Sequence, residues 1–410
     1  MATSNGPLDG VRIIESSMLG PAAITTQLAD LGAEVVKVES PQGDYIREMT
    51  WPIVEGVSLM HLHINRGKRS IVLDLRTPEG VQTYLDLVKD ADVVIEAMRP
   101  GGLERRGLGY DALREVNPRI VFCTISGYGM TGPYKDMPSH GVAYDVWAGL
   151  VKPETTDDGF AAIPEHPSIG IHAGPLFGAL GVLAGVIKAR ATGEGCRLEI
   201  AQSDAAAAMD WLRSETYKAY ERPESEVTGN KSDGYARRAP GTAGMRDGVR
   251  YQFYESSDGY ILFQASEREF WENFCRGIGR DDLFESHPGS KYADHAVGDV
   301  ELRAELRDIF KAKTTAEWLE IGGRVNTPIV SVNTPKTLAD DAQFQDRFHW
   351  LPADQLGCDQ LPSPLKFLDV DLPMPTKAPT VGQHTDDVLR DVLGYDDDHI
   401  AKLHDAGAVG

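Results

Sequence analysis

Three clusters of basic residues stand out because the chain around them is acidic. Arg66-Gly67-Lys68-Arg69, Arg99-Pro100-Gly101-Gly102 and Arg105-Arg106 each follow a strand or helix signal. Guanidinium and ammonium groups at such positions suit phosphate oxygens, which they hold by charge-assisted hydrogen bonds. Solvated loop charges would look the same, and spacing alone leaves the two readings level. A second feature is Gly127-Tyr-Gly129-Met-Thr-Gly132, a GxGxxG string behind a strand signal. Dinucleotide binding needs a helix to open directly after such a string. Pro133-Tyr-Lys-Asp-Met-Pro138 follows instead, and prolines so placed do not sustain a helix. The string reads as a glycine-rich loop at the carboxyl end of a strand, without a nicotinamide or flavin cofactor.

The remaining composition narrows the chemistry further. Four cysteines (Cys123, Cys196, Cys275, Cys358) lie far apart, with no CxxC or Cys/His spacing, so neither a zinc site nor a disulfide framework is expected. Lys+Arg is 41 and Asp+Glu is 62, a net charge of −21. That balance argues against a nucleic-acid partner, which calls for a basic face. It is compatible with an anionic small ligand in a local basic pocket. No apolar run approaches the ~20 residues that span a bilayer, so no membrane partner is expected. The opening MATSNGPLDG has no basic stretch followed by an apolar one. A cytoplasmic protein is the expectation.

The elements that must position these residues alternate. Val11–Glu15, Glu34–Val38, Ser70–Leu75, Asp92–Glu96, Ile120–Ser126 and Arg197–Ala201 are short β-branched or apolar runs. Pro21 opens a helix with Ile24, Leu28 and Leu31 on one face, and Thr77-Pro78-Glu79 supplies a cap, an N1 proline and a first-turn acid for another. Such alternation predicts an α/β fold with a doubly wound parallel sheet. Pro175–Ala191 is apolar all round and rich in Gly and Ala, which predicts a buried helix. Arg222–Gly248 is aperiodic and reads as a linker or long loop. Beyond it, Tyr251–Tyr254 and Tyr260–Gln264 flank a Ser-Ser-Asp-Gly turn and form a hairpin, followed by helix patterns over Glu267–Ile278, Val300–Lys313 and Thr315–Arg324. Ile329–Val332 and Leu365–Asp371 read as strands, and Ala339–Phe348 and His384–Leu393 as helices. The 410 residues divide into a large domain over 1–222, a linker and small α+β domain over 223–325, and a return to the large domain over 326–410.

Several motifs together resemble the family III CoA transferases, the carnitine and bile-acid CoA-transferase family. They are Leu31-Gly-Ala-Glu-Val-Val-Lys-Val-Glu39, Asn65-Arg-Gly-Lys-Arg-Ser-Ile71 with Thr77-Pro-Glu-Gly80, Arg99-Pro-Gly-Gly-Leu-Glu-Arg-Arg-Gly-Leu-Gly109, Ser126-Gly-Tyr-Gly-Met-Thr-Gly-Pro-Tyr134 and Thr192-Gly-Glu-Gly195. They run in order through residues 8–215. The resemblance implies a Rossmann-like large domain with a smaller α+β domain, an interlocked homodimer, and coenzyme A as part of a thioester substrate. By position it places Gly20, Pro21, Lys37, Arg66, Lys68, Arg69, Ala97, Met98, Arg99 and Arg105 against CoA. Ala97-Met98 departs from the commoner Asn/Gly-Phe pair.

Transferases of this family carry a nucleophilic aspartate before the small-residue helix. Counting back from Thr192-Gly193, its position here is Ile171, with His172 beside it. Neither forms an acyl anhydride. The α-methylacyl-CoA racemase branch moves the proton next to the thioester carbonyl instead. Ser139-His140-Gly-Val-Ala-Tyr144 and Ala265-Ser-Glu267-Arg-Glu-Phe270 resemble its histidine and glutamate segments. A histidine suits proton transfer at neutral pH, and a carboxylate fixes its tautomer. The expected function is therefore acyl-CoA binding with proton transfer at the α-carbon, through His140 with Glu267 and with His172 as a substitute second base. Ala173-Gly174 amides are expected to hold the enolate oxygen. CoA transfer between carboxylic acids is the alternative, and a catalytically impaired CoA-ester-binding member a further one.

Overall fold

A computed structural model describes residues 6–49, 51–98, 101–229, 235–237, 245–290 and 293–410. The chain splits into two compact units, one reaching to Trp211 and resuming at Phe348, the other spanning Leu212–Arg347. The large unit is built on six strands: β1 (Arg12–Ser16), β2 (Glu34–Glu39), β3 (Lys68–Val72), β4 (Val93–Glu96), β5 (Val121–Ser126) and β6 (Cys196–Ala201). Their order across the sheet is β6-β5-β4-β1-β2-β3, and every pairing is parallel. The order reverses between β1 and β4, so a crevice opens at the carboxyl ends of those strands, where open α/β sheets bind ligands. Strands β1 to β5 are buried along nearly their whole length, as expected for a sheet covered on both faces.

Two apolar cores sandwich the sheet. On one face, Ile14, Val36, Ile71, Val94 and Phe122 meet helix α3 (Pro78–Lys89) through Tyr84 and Leu87 and α4 (Tyr110–Val116) through Leu113. Thr77 caps α3 by accepting from Gly80 N, and Pro78 fills its first turn. The chain's last helices, α11 (Thr385–Asp391) and α12 (Asp397–Asp405), close this core with Val388, Leu389, Ile400 and Leu403. On the other face, Ile13, Val35, Ile95 and Ile125 meet α1 (Ala23–Asp30) and the long α6 (Gly170–Thr192).

Helix α6 departs from the expectation of burial all round. Gly174, Gly178, Gly185 and Ala189 face inward, and the glycines bring the helix close to the sheet: a Cβ on Gly185 would lie 2.7 Å from Val121 Cγ1. Leu180 and Ile187 on the opposite side are 64% and 69% exposed. The 23-residue helix is also long and apolar enough to cross a bilayer, contrary to the sequence estimate, although it packs on the sheet here. The estimate failed because Lys188 and Arg190 truncate the visible apolar run.

The small unit pairs β7 (Tyr251–Glu255), β8 (Tyr260–Gln264) and β9 (Ile329–Ser331) antiparallel in that order. Three helices, α8 (Arg268–Gly277), α9 (Val300–Lys311) and α10 (Thr315–Val325), cover it around Trp271, Phe274, Phe310 and Trp318. The chain re-enters the large unit at Phe348, not at 326, because Ile329–Ser331 hydrogen-bonds to β8 as the third strand. Leu365–Asp371 forms no strand; its alternation finds no partner strand, and Leu368 is fully exposed.

Replacing Gly185 by Leu should wedge α6 off the sheet and cost about 1–3 kcal/mol of stability, typical of overpacking. Urea titration at unchanged m-value measures this; a variant as stable as the parent would show that the close approach is dispensable.

Candidate active site

The crevice at the carboxyl edge of the sheet is a groove of three adjoining depressions. One, of ≈ 130 Å³, is lined by Ser16–Met18 at the end of β1, Val38–Ser40 at the end of β2, and Ala97–Met98 after β4. The next shares Ser40 and Met98 and adds Leu73–Arg76 and Arg106. The third joins Arg76, Arg105 and Arg106 to Thr77 and Pro78 at the start of α3. Cations and a helix N-terminus at one end of a groove favour an anionic ligand. Arg76 chelates Asp74 through Nε (2.8 Å) and Nη2 (2.6 Å), so its guanidinium is held at the rim. In the sequence Arg76 belongs to none of the basic clusters and stands directly before the Thr77 cap. Arg105 and Arg106 lie exposed on the short turn Glu104–Arg106. Arg99 lies outside the described residues.

Three of the other residues expected against CoA are engaged inside the fold. Lys37, Arg66 and Lys68 are buried and bonded within the protein. Lys37 Nζ reaches Glu15 (3.0 Å), Asp44 (3.3 Å) and Ser17 O (2.6 Å). Lys68 Nζ reaches Glu15 (2.8 Å), Asn65 (3.1 Å) and Ala22 O (2.8 Å). Arg66 forks onto Asp30 and donates to Gln360 and Leu361 O. Each replaces the expected CoA contact with a carboxylate supplied by a neighbouring element. Arg69 is half-buried against Glu34 at 3.3 Å. Burial pushes the Glu15 carboxyl up, but Lys37 and Lys68 more than reverse this and hold it at about 2. Burial brings Lys68 down to about 8 against the pull of Glu15.

These buried charges fix the Ser17–Ala22 loop, which carries Gly20 and Pro21. Lys37 holds Ser17 O, Asp44 accepts from Leu19 N at 3.2 Å, and Lys68 holds Ala22 O. Leu19 has φ 58°, a conformation that costs a non-glycine residue about 1–3 kcal/mol and persists only when its surroundings impose it. Gly20 then abuts Ile171: a Cβ there would lie 3.9 Å from Ile171 Cβ.

Ile171 sits in the first turn of α6 and touches a third element as well. A Cβ on Gly141 would lie 3.5 Å from Ile171 Cγ2. Gly141 separates His140 from α5 (Val142–Trp147), and His140 O accepts from Ala143 N, which ties the exposed histidine to that helix. The structure thus brings Gly20, Ile171, His172 and the His140–Gly141 pair to one place. His172 is exposed in the same turn as Ile171. The amides of Ala173 and Gly174 are not available to an oxyanion. Ala173 N is bonded to Ile169 O at 2.7 Å, and Gly174 lies within the helix ladder. Gly170 N is taken by Asp145 and His172 N by Ile169 O, which leaves Ile171 N as the first-turn donor free of a protein acceptor among the described residues.

The loop Gly127–Gly132 accounts for its glycines without a nucleotide. Gly129 N caps onto Ser126 Oγ, Met130 N onto Glu199, and Gly129 and Gly132 both have positive φ. No metal-ligating cluster occurs among the described residues.

Residues 8–385 match the family model of CoA-transferase family III. The chain belongs to that family. It is similar to the human succinyl-CoA:glutarate CoA-transferase, at 29% identity over 98% of this chain and 90% of that one. It is equally similar, at 29%, to the formyl-CoA:oxalate CoA-transferase of Rhodopseudomonas palustris (strain HaA2), over 98% of this chain and 97% of that one. The crystal structure of a CAIB/BAIF family protein from Brucella suis superposes with a TM-score of 0.74 at 26% identity, covering 95% of this chain and all of that one.

In this family III chain Glu267 belongs to the small unit, where it is exposed at the start of α8 and pairs its backbone with Ala293. Two histidines of α2 (Leu59–Ile64) complete the electrostatics of the large unit. His61 bonds Pro379 O and Asn65, and burial with the nearby Arg47 lowers it to about 4. His63 lies against Arg66, and burial, Arg66 and His172 lower it to about 4.

Two outcomes follow. Glu15→Gln leaves two buried ammonium groups short of a counter-charge and should destabilise the protein by about 3–5 kcal/mol, read by chemical denaturation. His61 and His63 are neutral in the fold and take up protons more readily when unfolded. Stability should therefore fall as pH drops from 6.5 towards 4, and His63→Gln should flatten that slope. A pH profile of thermal unfolding unchanged by the substitution would remove His63 from this account.

Proposed function

We propose that this protein binds an acyl-CoA along the groove and moves the proton on the α-carbon of the thioester, without a covalent enzyme–CoA adduct. The observation that carries the reading is Ile171. An apolar side chain occupies the turn where the resemblance puts the transferase nucleophile, and it packs against the glycine that follows His140. The CoA phosphates lie towards Arg76, Arg105, Arg106 and the start of α3, and the thioester towards the first turn of α6. His140 takes the α-proton; the C–H electron pair passes into the enolate, whose oxygen is held by Ile171 N–H. Reprotonation from His140, or from His172 on the other face, returns the carbon acid. The donor matters because an α-proton is weakly acidic, and stabilising the developing oxyanion lowers the barrier. A homodimer is part of this reading, supported by the exposed apolar side of α6 at Leu176, Phe177, Leu180 and Ile187.

In heavy water, incubation with a 2-methylacyl-CoA should place deuterium at the α-carbon, and His140→Ala should slow this about 10²–10⁴-fold. Arg76→Ala should raise KM for the ester more than it lowers kcat, and more so at low salt.

A second reading is CoA transfer between carboxylic acids, favoured by the names of the two relatives above. It requires a carboxylate nucleophile other than residue 171. If borohydride or hydroxylamine trapping after acyl-CoA exposure labels a specific Asp or Glu, transfer is the reaction and the proton-transfer reading is wrong.

A further inference from the structure

A wholly buried charged side chain lies where α5 meets α6. Asp145, on α5, accepts from Gly170 N at 2.8 Å through Oδ1. Gly170 is the first residue of α6, and Ile171 follows it. Two side-chain contacts flank this bond. A Cβ on Gly170 would lie 2.7 Å from Tyr144 Cβ, and one on Gly141 would meet Ile171. Helix α5 therefore follows directly on His140-Gly141, is tied to His140 O through Ala143 N, and is pinned to α6 near its own middle. The other Asp145 oxygen lies 3.8 Å from His166 Nε2, and neither atom has a hydrogen-bond partner among the described residues. His166 Nδ1 is 2.9 Å from Pro164 O. A carbonyl only accepts, so Nδ1 carries the proton and both imidazole nitrogens are directed into the fold. Neither Asp145 nor His166 is placed to meet a substrate.

We propose that Asp145 is a positioning residue, which sets the reach of His140 over the first turn of α6 by fastening the two helices together. The proposal rests on the proton-transfer reading of the site. The bond satisfies a buried helix-terminal amide of a 23-residue helix, which a side chain with no acceptor would leave unpaired. Loss of the bond frees α5 to shift relative to Ile171. A displacement of about 1 Å at a proton-transfer site is enough to cost on the order of 100-fold in rate. Substrate affinity should change little, because the arginines of the groove stand on other elements.

The test compares Asp145→Ala with Asp145→Asn in the full-length protein. Asparagine keeps an oxygen acceptor for Gly170 N. The alanine variant should lose ~10–100-fold in kcat for α-proton exchange with KM nearly unchanged, and the asparagine variant should recover most of the loss. If the folded asparagine variant is as slow as alanine, the carboxylate acts by its charge and positioning is excluded. If the alanine variant does not fold, the asparagine variant is compared with the wild type instead, and a ~10–100-fold loss of kcat in the folded asparagine variant likewise excludes positioning. Amide hydrogen exchange over residues 168–176, read by mass spectrometry, needs no turnover. It should quicken in alanine and not in asparagine; equal protection in all three proteins overturns the pin. Wild-type protein that fails to exchange the α-proton, with these protection differences intact, would instead fault the reaction assigned to the site.

Discussion

The arrangement depends on a carboxylate that is never seen by solvent. Glu15 stands at the end of the central strand and binds two lysines, one from each of the next two strands across the sheet. Removing three such ions from water is expensive, and their mutual attraction repays it only because each ammonium also finds a carbonyl oxygen. Those carbonyls belong to the loop that leaves the strand. The charges therefore dictate a backbone path that includes Leu19 at positive φ, and this path sets Gly20 against the first turn of α6. The geometry of the candidate site in this unit rests on electrostatics one layer beneath the surface.

That layering explains what could be read from the residues alone. The parallel sheet was legible because β1 to β5 are β-branched runs punctuated by caps such as Thr77-Pro78. The basic segment Arg66–Arg69 was legible as important, but its direction was not. Lys68 and Arg66 turn inward onto Glu15 and Asp30, residues far away in sequence, and nothing local announces a distant counter-ion. Arg76 was overlooked for the opposite reason: its partner Asp74 is two residues away, and the pair resembles an ordinary turn. The small-residue helix was found, yet periodicity does not tell which of its sides the sheet will cover.

The first turn of α6 carries Ile171 where the resemblance puts a nucleophilic aspartate. Most of its amides are already engaged, by Asp145 and by Ile169 O. An isoleucine there packs against two glycines, Gly20 and Gly141, whose bare α-carbons leave room for a branched side chain but supply no polar contact. The turn can offer a fixed dipole and an apolar wall. Such surroundings suit a reaction whose charge develops on a substrate oxygen and is returned.

The edge strand β3 has a consequence for how the chain is made. Its outer side is paired by residues that come much later in the chain: His384 N bonds Ser70 O, Thr385 Oγ1 accepts from Val72 N, and Val409 bridges Leu73. The small unit is continuous in sequence, so it can complete itself before the large one. Until those residues emerge, the nascent large unit exposes an unpaired edge and an open core, the state in which neighbouring chains on a polysome most readily associate. Truncating the chain ahead of His384 would make that transient state permanent.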